Sequence, residues 1–210
     1  ASDVYKRQIF IGFILPIIEL IIWALDARVT LFNEKFIMSS FNTISLGILT
    51  GVLCALLAFI INFSIRYTKN NFLGKLSSFL SIGYAVPGLI LAVGITRFFV
   101  YADQNIFSNL DFVITGSLLG LVLAYIIKSY ALANSSIESG YERISNSIDN
   151  SARLLGSKGS ILLGKIHFPL MKTSLITAIL LVTSEVVKEL PATLILRPFN
   201  FDTLAVVTYT

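Results

Sequence analysis

Charge is what this chain has least of. Only 13% of its 210 residues are Asp, Glu, Lys or Arg, while 55% are apolar. An ordinary soluble domain carries about 25% charged residues. With a mean hydropathy of +0.82, the chain cannot build a water-facing surface, and lipid must be the solvent for most of it. Cysteine is nearly absent as well. Cys54 stands alone, which excludes an internal disulfide and a cysteine metal cage. It lies in an apolar run and reads as a small packing residue. The single histidine, His167, cannot make a metal centre by itself and reads as a packing or hydrogen-bonding group. There is no phosphate-cradling Gly-x-x-x-x-Gly-Lys segment and no evident Ser/His/Asp set, so the chain is not expected to be an enzyme. No bound cofactor or metal is expected. The net charge of +4 is modest, and no nucleic-acid partner is expected.

What the chain does have is long apolar runs. A membrane helix needs about 20 apolar residues. Spans are predicted at 9–25, 41–65, 76–99, 112–133 and 174–196. The third is interrupted by Gly83, Pro87, Gly88 and Gly94. The fifth contains Glu185, Lys188, Glu189 and Pro191. A further run from Thr203 stops at Thr210, and is expected to be a span cut short. Residues 1–8 do not read like the rest. Asp3-Val4-Tyr5-Lys6-Arg7-Gln8 resembles the translation of a sequencing adapter, and this octet is expected to be non-native. Residues 39–210 then form the core domain.

Basic residues orient the spans. The segment after the second span holds Arg66, Lys69 and Lys75 without acids, and the one after the third holds Asp103 and Asp111 without bases. Residues 134–172 carry Arg143, Arg153, Lys158, Lys165 and Lys172. By the positive-inside rule the first and last of these face the cytoplasm, as does the N-terminus, and the acidic segment lies outside. The loop after the first span sets Arg28 and Lys35 against Asp26 and Glu34 and orients nothing.

Residues 134–172 are too polar for a span and too patterned for a linker. Ile144, Ile148, Ala152, Leu155 and Gly159 recur at helical spacing, which predicts a short amphipathic helix. Gly156 and Gly159 break it, an apolar pattern resumes over 161–166, and Pro169 leads into the fifth span. Such a segment suits either a protein partner or the lipid surface.

Asn150-Ser151-Ala152-Arg153-Leu154-Leu155-Gly156, then nine residues, then Ile166-His167-Phe168-Pro169, resembles the EAA loop of ABC importer permeases. Ala152, Gly156, Ile166 and Pro169 match that signature, while Asn150, Ser151 and Phe168 replace its Glu, Ala and Leu. Asp149, one residue before the missing Glu, is turned by about 100° on a helix. Gly12-Phe13-x-x-Pro16, Gly83-Tyr84-Ala85-Val86-Pro87-Gly88 and above all Lys188-Glu189-Leu190-Pro191-Ala192-Thr193-Leu194 resemble the ferric-iron branch of these permeases, in its C-terminal half. The resemblance implies an all-α polytopic membrane protein with the type I permease fold. It also implies that 134–172 is a coupling loop in which Asp149, Asn150, Ser151, Ala152, Arg153, Gly156, Ile166 and Pro169 face the ATP-binding subunit. The implied partners are an ATP-binding subunit dimer, a second permease half, a periplasmic substrate-binding protein and the lipid of a bacterial inner membrane. The implied cargo is ferric iron, with a polyamine, an oxyanion or a phosphonate as alternatives. An ion-coupled secondary transporter would not need the loop.

Glu185, Lys188 and Glu189 stand three and four residues apart and would share one face of a continuous helix. Charges inside a span cost at least a few kcal/mol on insertion scales and must meet protein, water or one another. This face, with Pro191 and Pro87, is expected either on the translocation path or at the contact between permease halves. Local pairing of Lys188 with one Glu near the outer interface is the alternative.

Overall fold

A computed structural model of the chain describes residues 2–26, 33–108 and 113–209. Ala1, Arg28, Asp111, Phe112 and Thr210, all used above, lie outside the described residues, as do the side chains of Asp3 and Asp26. The chain divides into two compact units, Ala1–Ile37 and Met38–Thr210.

In the first unit, helix α1 (Ser2–Ile9) runs through a π-helical stretch (Phe10–Ile14) into α2 (Leu15–Asp26). The helix from Val4 to Leu25 is apolar and long enough to cross a membrane. Pro16 explains the π-helical stretch. Its ring crowds the carbonyl four residues back and it has no N–H to donate. The Leu15 N–H bonds instead to the Phe10 carbonyl, five residues back. The apolar residues of the Val4–Leu25 helix are distributed all round it, the pattern of a membrane helix rather than of a surface helix with one apolar stripe.

Helix α3 (Glu34–Thr68) continues into the second unit. It is followed by α4 (Asn71–Ser81), a 3₁₀ turn (Ile82–Ala85) and α5 (Gly88–Asn105). Next comes α6 (Leu118–Glu142), then α7 (Asn146–Leu154), α8 (Gly159–Ile161), a π-helical stretch (Leu162–His167) and α9 (Phe168–Leu170). The last elements are α10 (Lys172–Val187), α11 (Pro191–Leu196) and α12 (Leu204–Tyr209). Helix α6 packs against α4, α5, α10 and α11 and is the axis of the unit.

Small residues set the α3–α10 seam. In lipid no hydrophobic force pulls helices together, so close backbone approach and shape decide association. Ser39, Thr43, Gly47, Gly51, Cys54 and Ala58 form a buried stripe along α3. A Cβ on Gly47 would lie 2.8 Å from Thr183 Cγ2, and one on Gly51 2.8 Å from the Ile179 carbonyl oxygen. Cys54 is fully buried within the same core.

Two expectations about single spans change in the structure. The predicted span 76–99 is two helices: Asn71–Ala85 meets Gly88–Asn105 at 113°. Gly83 and Pro87 explain the site of the bend. Gly83 lets the 3₁₀ turn lie against the Ile127 backbone, and Pro87 is the extended N-cap of α5. The predicted span 174–196 is likewise broken. Helix α10 ends at Val187 because Pro191 has no N–H to return to that carbonyl, and α11 restarts with Pro191 in its first turn. The approach to α10 bends by 72°. Among the described residues, three helices are long and apolar enough to cross a membrane on their own, and up to five spans result if each bent pair counts as one.

Gly51→Val is expected to push α3 off α10 at a rigid backbone oxygen and to cost about 1–3 kcal/mol. Equilibrium unfolding in mixed micelles measures it. Gly94→Ala, where nothing lies within 4 Å, is expected to leave stability unchanged or slightly higher.

Candidate functional site

Two clusters of buried polar groups stand out, one at the 134–172 loop and one at the broken helices.

The loop cluster begins with Ser145, whose hydroxyl accepts the Ser147 N–H at 3.2 Å and caps α7. Capping starts the helix in a sequence otherwise poor in helix formers. Asp149 follows one turn later and points inward. Its Oδ2 receives Arg66 Nε at 2.6 Å. Arg66, from the end of α3, also donates to the Tyr141 carbonyl at 3.0 Å and the Ile144 carbonyl at 2.8 Å. The planar guanidinium suits this multiple engagement in a way that an ammonium does not. On the other side, His167 Nε2 lies 2.9 Å from Asp149 Oδ1. That contact is close but poorly aligned for a hydrogen bond, and neither atom has another partner. His167 is fully buried, with the rings of Phe63 and Tyr141 at centroid distances of 5.3 and 5.4 Å. Asp149 and Arg66 together therefore join the end of α3, the end of α6, α7 and the entry to α10.

The end of α7 is equally defined. The Ser157 N–H bonds to the Ala152 carbonyl and the Gly156 N–H to the Arg153 carbonyl, at 3.0 and 2.9 Å. Gly156 has φ +81°. This is a Schellman ending, with glycine at the left-handed position. Ala152 is buried, and Ile166 is half-buried across a shallow groove from it. Asn150, Ser151, Arg153 and Pro169 are exposed. Arg153 lies over the Tyr67 ring at 4.6 Å. Leu154 and Leu155 are 89% and 87% exposed. The helical spacing of apolar residues anticipated burial for Leu155. The helix instead buries Asp149 and Ala152, because the buried cation of Arg66 takes the carboxylate inward and the Schellman turn carries Leu155 outward.

The second cluster surrounds Glu189, only 6% exposed. Its Oε2 pairs with Lys128 of α6. Its Oε1 accepts the Ala192 N–H of α11 at 3.3 Å. Gly88, at the start of α5, admits this carboxylate: a Cβ there would lie 2.5 Å from Oε1. Thr193 Oγ1 donates to the Glu189 carbonyl at 2.5 Å and shares a hydrogen bond with Tyr125 at 2.6 Å. Pro191 and Pro87 flank the cluster at the starts of α11 and α5. The single face expected for Glu185, Lys188 and Glu189 does not form. Helix α10 ends at Val187, so only Glu185 and Lys188 keep helical spacing. They pair at 2.8 Å, with the Lys188 side chain 67% exposed. Glu189 turns the other way. Lys128 falls inside the predicted span 112–133, and sequence reasoning does not pair it with Glu189. A lone cation in an apolar run demands a buried counter-charge, and that was the signal available.

Asp103, from the acidic segment assigned to the outside, is engaged within the chain. It accepts the Thr115 hydroxyl at 2.6 Å and the Ile114 and Thr115 N–H groups at 2.9 Å. The hydroxyl bond first, then these N–H groups, hold its carboxyl below the ordinary Asp range. Among the described residues no three of His, Cys, Asp and Glu gather closely enough to hold a metal ion.

Such helices, with paired charges buried among them, define an all-α polytopic membrane protein. No family model matches the chain. It is 25% identical to the Fe(3+)-transport system permease protein FbpB 2 of Haemophilus influenzae over 207 residues, covering 92% of this chain and 37% of that relative. The chain thus spans little more than a third of the relative's length, and it resembles a ferric-iron permease over nearly all of its own.

Removing the shared carboxylate with Asp149→Ala is expected to leave Arg66 buried without its counter-charge. The cost should be about 3–5 kcal/mol, read by unfolding in mixed micelles, with faster proteolysis of the 146–158 segment. Asn150→Ala, at an exposed position beside it, is expected to change stability by less than about 0.5 kcal/mol.

Proposed function

We propose that the chain is the membrane-spanning permease part of an ATP-driven importer that passes ferric iron from a periplasmic binding protein into the cytoplasm. The observation that carries this reading is the segment from α7 to Pro169. It keeps the spacing of an importer coupling loop, and it is a rigid, outward-facing element fastened to three helix ends through Asp149. Asn150, Ser151, Arg153, Leu154 and Leu155 form its outer surface, on which an ATP-binding subunit would seat. Rigid-body motion of that subunit would reach α3, α6 and α10 together, because Asp149 binds Arg66 and lies against His167, and Arg66 in turn holds the Tyr141 carbonyl. The similarity to a permease named for Fe(3+) transport supports the cargo.

In this reading α7 lies on the cytoplasmic side of an inner membrane, and the N-terminus is cytoplasmic, as the distribution of Lys and Arg requires. A second permease half, fused or separate, completes the path. Glu189 and Lys128 lie where α5 and α11 are broken. Irregular backbone at membrane depth is tolerated only against protein or a water-filled cavity. The pair is therefore assigned to the wall of the path or to the contact between halves. With Lys128 offsetting its charge, Glu189 would guide a trivalent cation without trapping it.

Two experiments test the reading in the full-length protein with its partner subunits. Gly156→Val forces a branched residue into the left-handed region, a backbone cost of about 1–2 kcal/mol, and misdirects the outer surface of α7. Iron uptake is expected to fall while membrane insertion and basal ATP hydrolysis persist; unchanged uptake in proteoliposomes would count against the coupling assignment. Glu189→Gln is expected to lower uptake more than it lowers association with the ATP-binding subunit. A cysteine placed at 189 should react with water-soluble thiol reagents, and labelling chiefly by lipid-soluble ones would put the site against lipid.

A further inference from the structure

The turn between α3 and α4 carries Lys69, and the first half of α4 carries Lys75; neither forms a salt bridge among the described residues. No acid lies between Arg66 and Ser81. Lys69 adopts φ 53° as the chain reverses into α4, whose N-cap is Asn70 and whose first turn holds no acid. These residues line an open groove of about 980 Å³ with Asn71, Phe79 and Ile82 among its walls. Phe79 and Ile82 also line a second, apolar cleft of about 390 Å³, running between α3, α4 and α6 past Leu57, Ile61, Val86 and Tyr130. Phe79 and Ile82 are themselves 69% and 59% exposed.

A cationic, hydrogen-bonding mouth thus opens onto an apolar cleft through two shared side chains. That order of chemistry fits an amphiphile with an anionic head. The geometry points to a site for an anionic phospholipid. Its phosphate is held by Lys69, Lys75 and the first turn of α4, and an acyl chain passes Phe79 and Ile82 into the cleft. Basic pockets beside membrane helices select anionic head groups, and the N-terminal turn of α4 adds favourable N–H groups for a phosphate. A transmembrane helix of another subunit would fill the cleft but would leave both lysines without counter-charge unless it brought acids to them.

The test places the full chain in nanodiscs, where both leaflets present the same lipids, so the outcome is independent of orientation and of the importer reading. Trp23, the only tryptophan, is replaced (Trp23→Phe) and a reporter is introduced with Phe79→Trp. Brominated phosphatidylglycerol and brominated phosphatidylcholine are compared as quenchers. Phosphatidylglycerol is expected to be preferred by about fivefold for each lysine. The preference should fall to near unity in Lys69→Gln/Lys75→Gln and persist in Lys69→Arg/Lys75→Arg. Equal quenching by both lipids in the parent overturns the proposal, as does an unchanged preference in the Gln variant. Protection from both lipids when the partner subunits are present also overturns it and assigns the cleft to protein.

Discussion

The geometry of the loop rests on the fact that a guanidinium inside an apolar bundle must find its acceptors. Arg66 stands at the end of a long apolar helix, where leaving its charge unmet would cost several kcal/mol. It collects Asp149 and two backbone carbonyls, those of Tyr141 and Ile144. Those partners lie 75 to 83 residues further along the chain. By satisfying one buried cation the chain decides where α6 must stop, which side of α7 faces in, and how the entry to α10 approaches. The aromatic rings of Phe63 and Tyr141 around His167 exclude water from the same point, which strengthens the pairing.

The Lys128–Glu189 pair follows the same rule with different consequences. At the loop, the pairing fastens continuous helices together. Among the broken helices, it stands where α5 and α11 begin, and Gly88 supplies the space. Asp149 takes one guanidinium and lies against an imidazole, whereas Glu189 takes one lysine and one backbone N–H. The two clusters thus differ in their partners as well as in place: one sits under the proposed docking surface, the other where the helices break.

Much of this was legible in the residues. Scarcity of charge dictates lipid as the solvent, and the spacing from Asn150 to Pro169 marks the loop without any knowledge of its contacts. Gly83, Pro87 and Pro191 announce that helices break near them. The sequence does not say where the broken ends go. Placing Glu185, Lys188 and Glu189 on one face assumed a helix that continues through Pro191, and the missing N–H ends it at Val187. Pairings such as Lys128 with Glu189, 61 residues apart, depend on helix packing and leave no local trace. Arg66 was legible only as a positive charge fixing orientation, since the same residue can serve the positive-inside bias and a buried contact at once.

The π-helical stretch from Leu162 to His167 has a consequence of its own. Its hydrogen bonds close one residue later than those of an α-helix, so residues on its two sides are out of step by about 100°. Leu162 and His167, five apart, are both buried, a spacing that would place them on different faces of an α-helix. The contact between His167 and Asp149 is therefore a matter of counting. Deleting Gly164 or Lys165 would leave the stretch at least as apolar, yet turn the imidazole away from the carboxylate. At this point the chain specifies its polar contact by length, and composition alone could not preserve it.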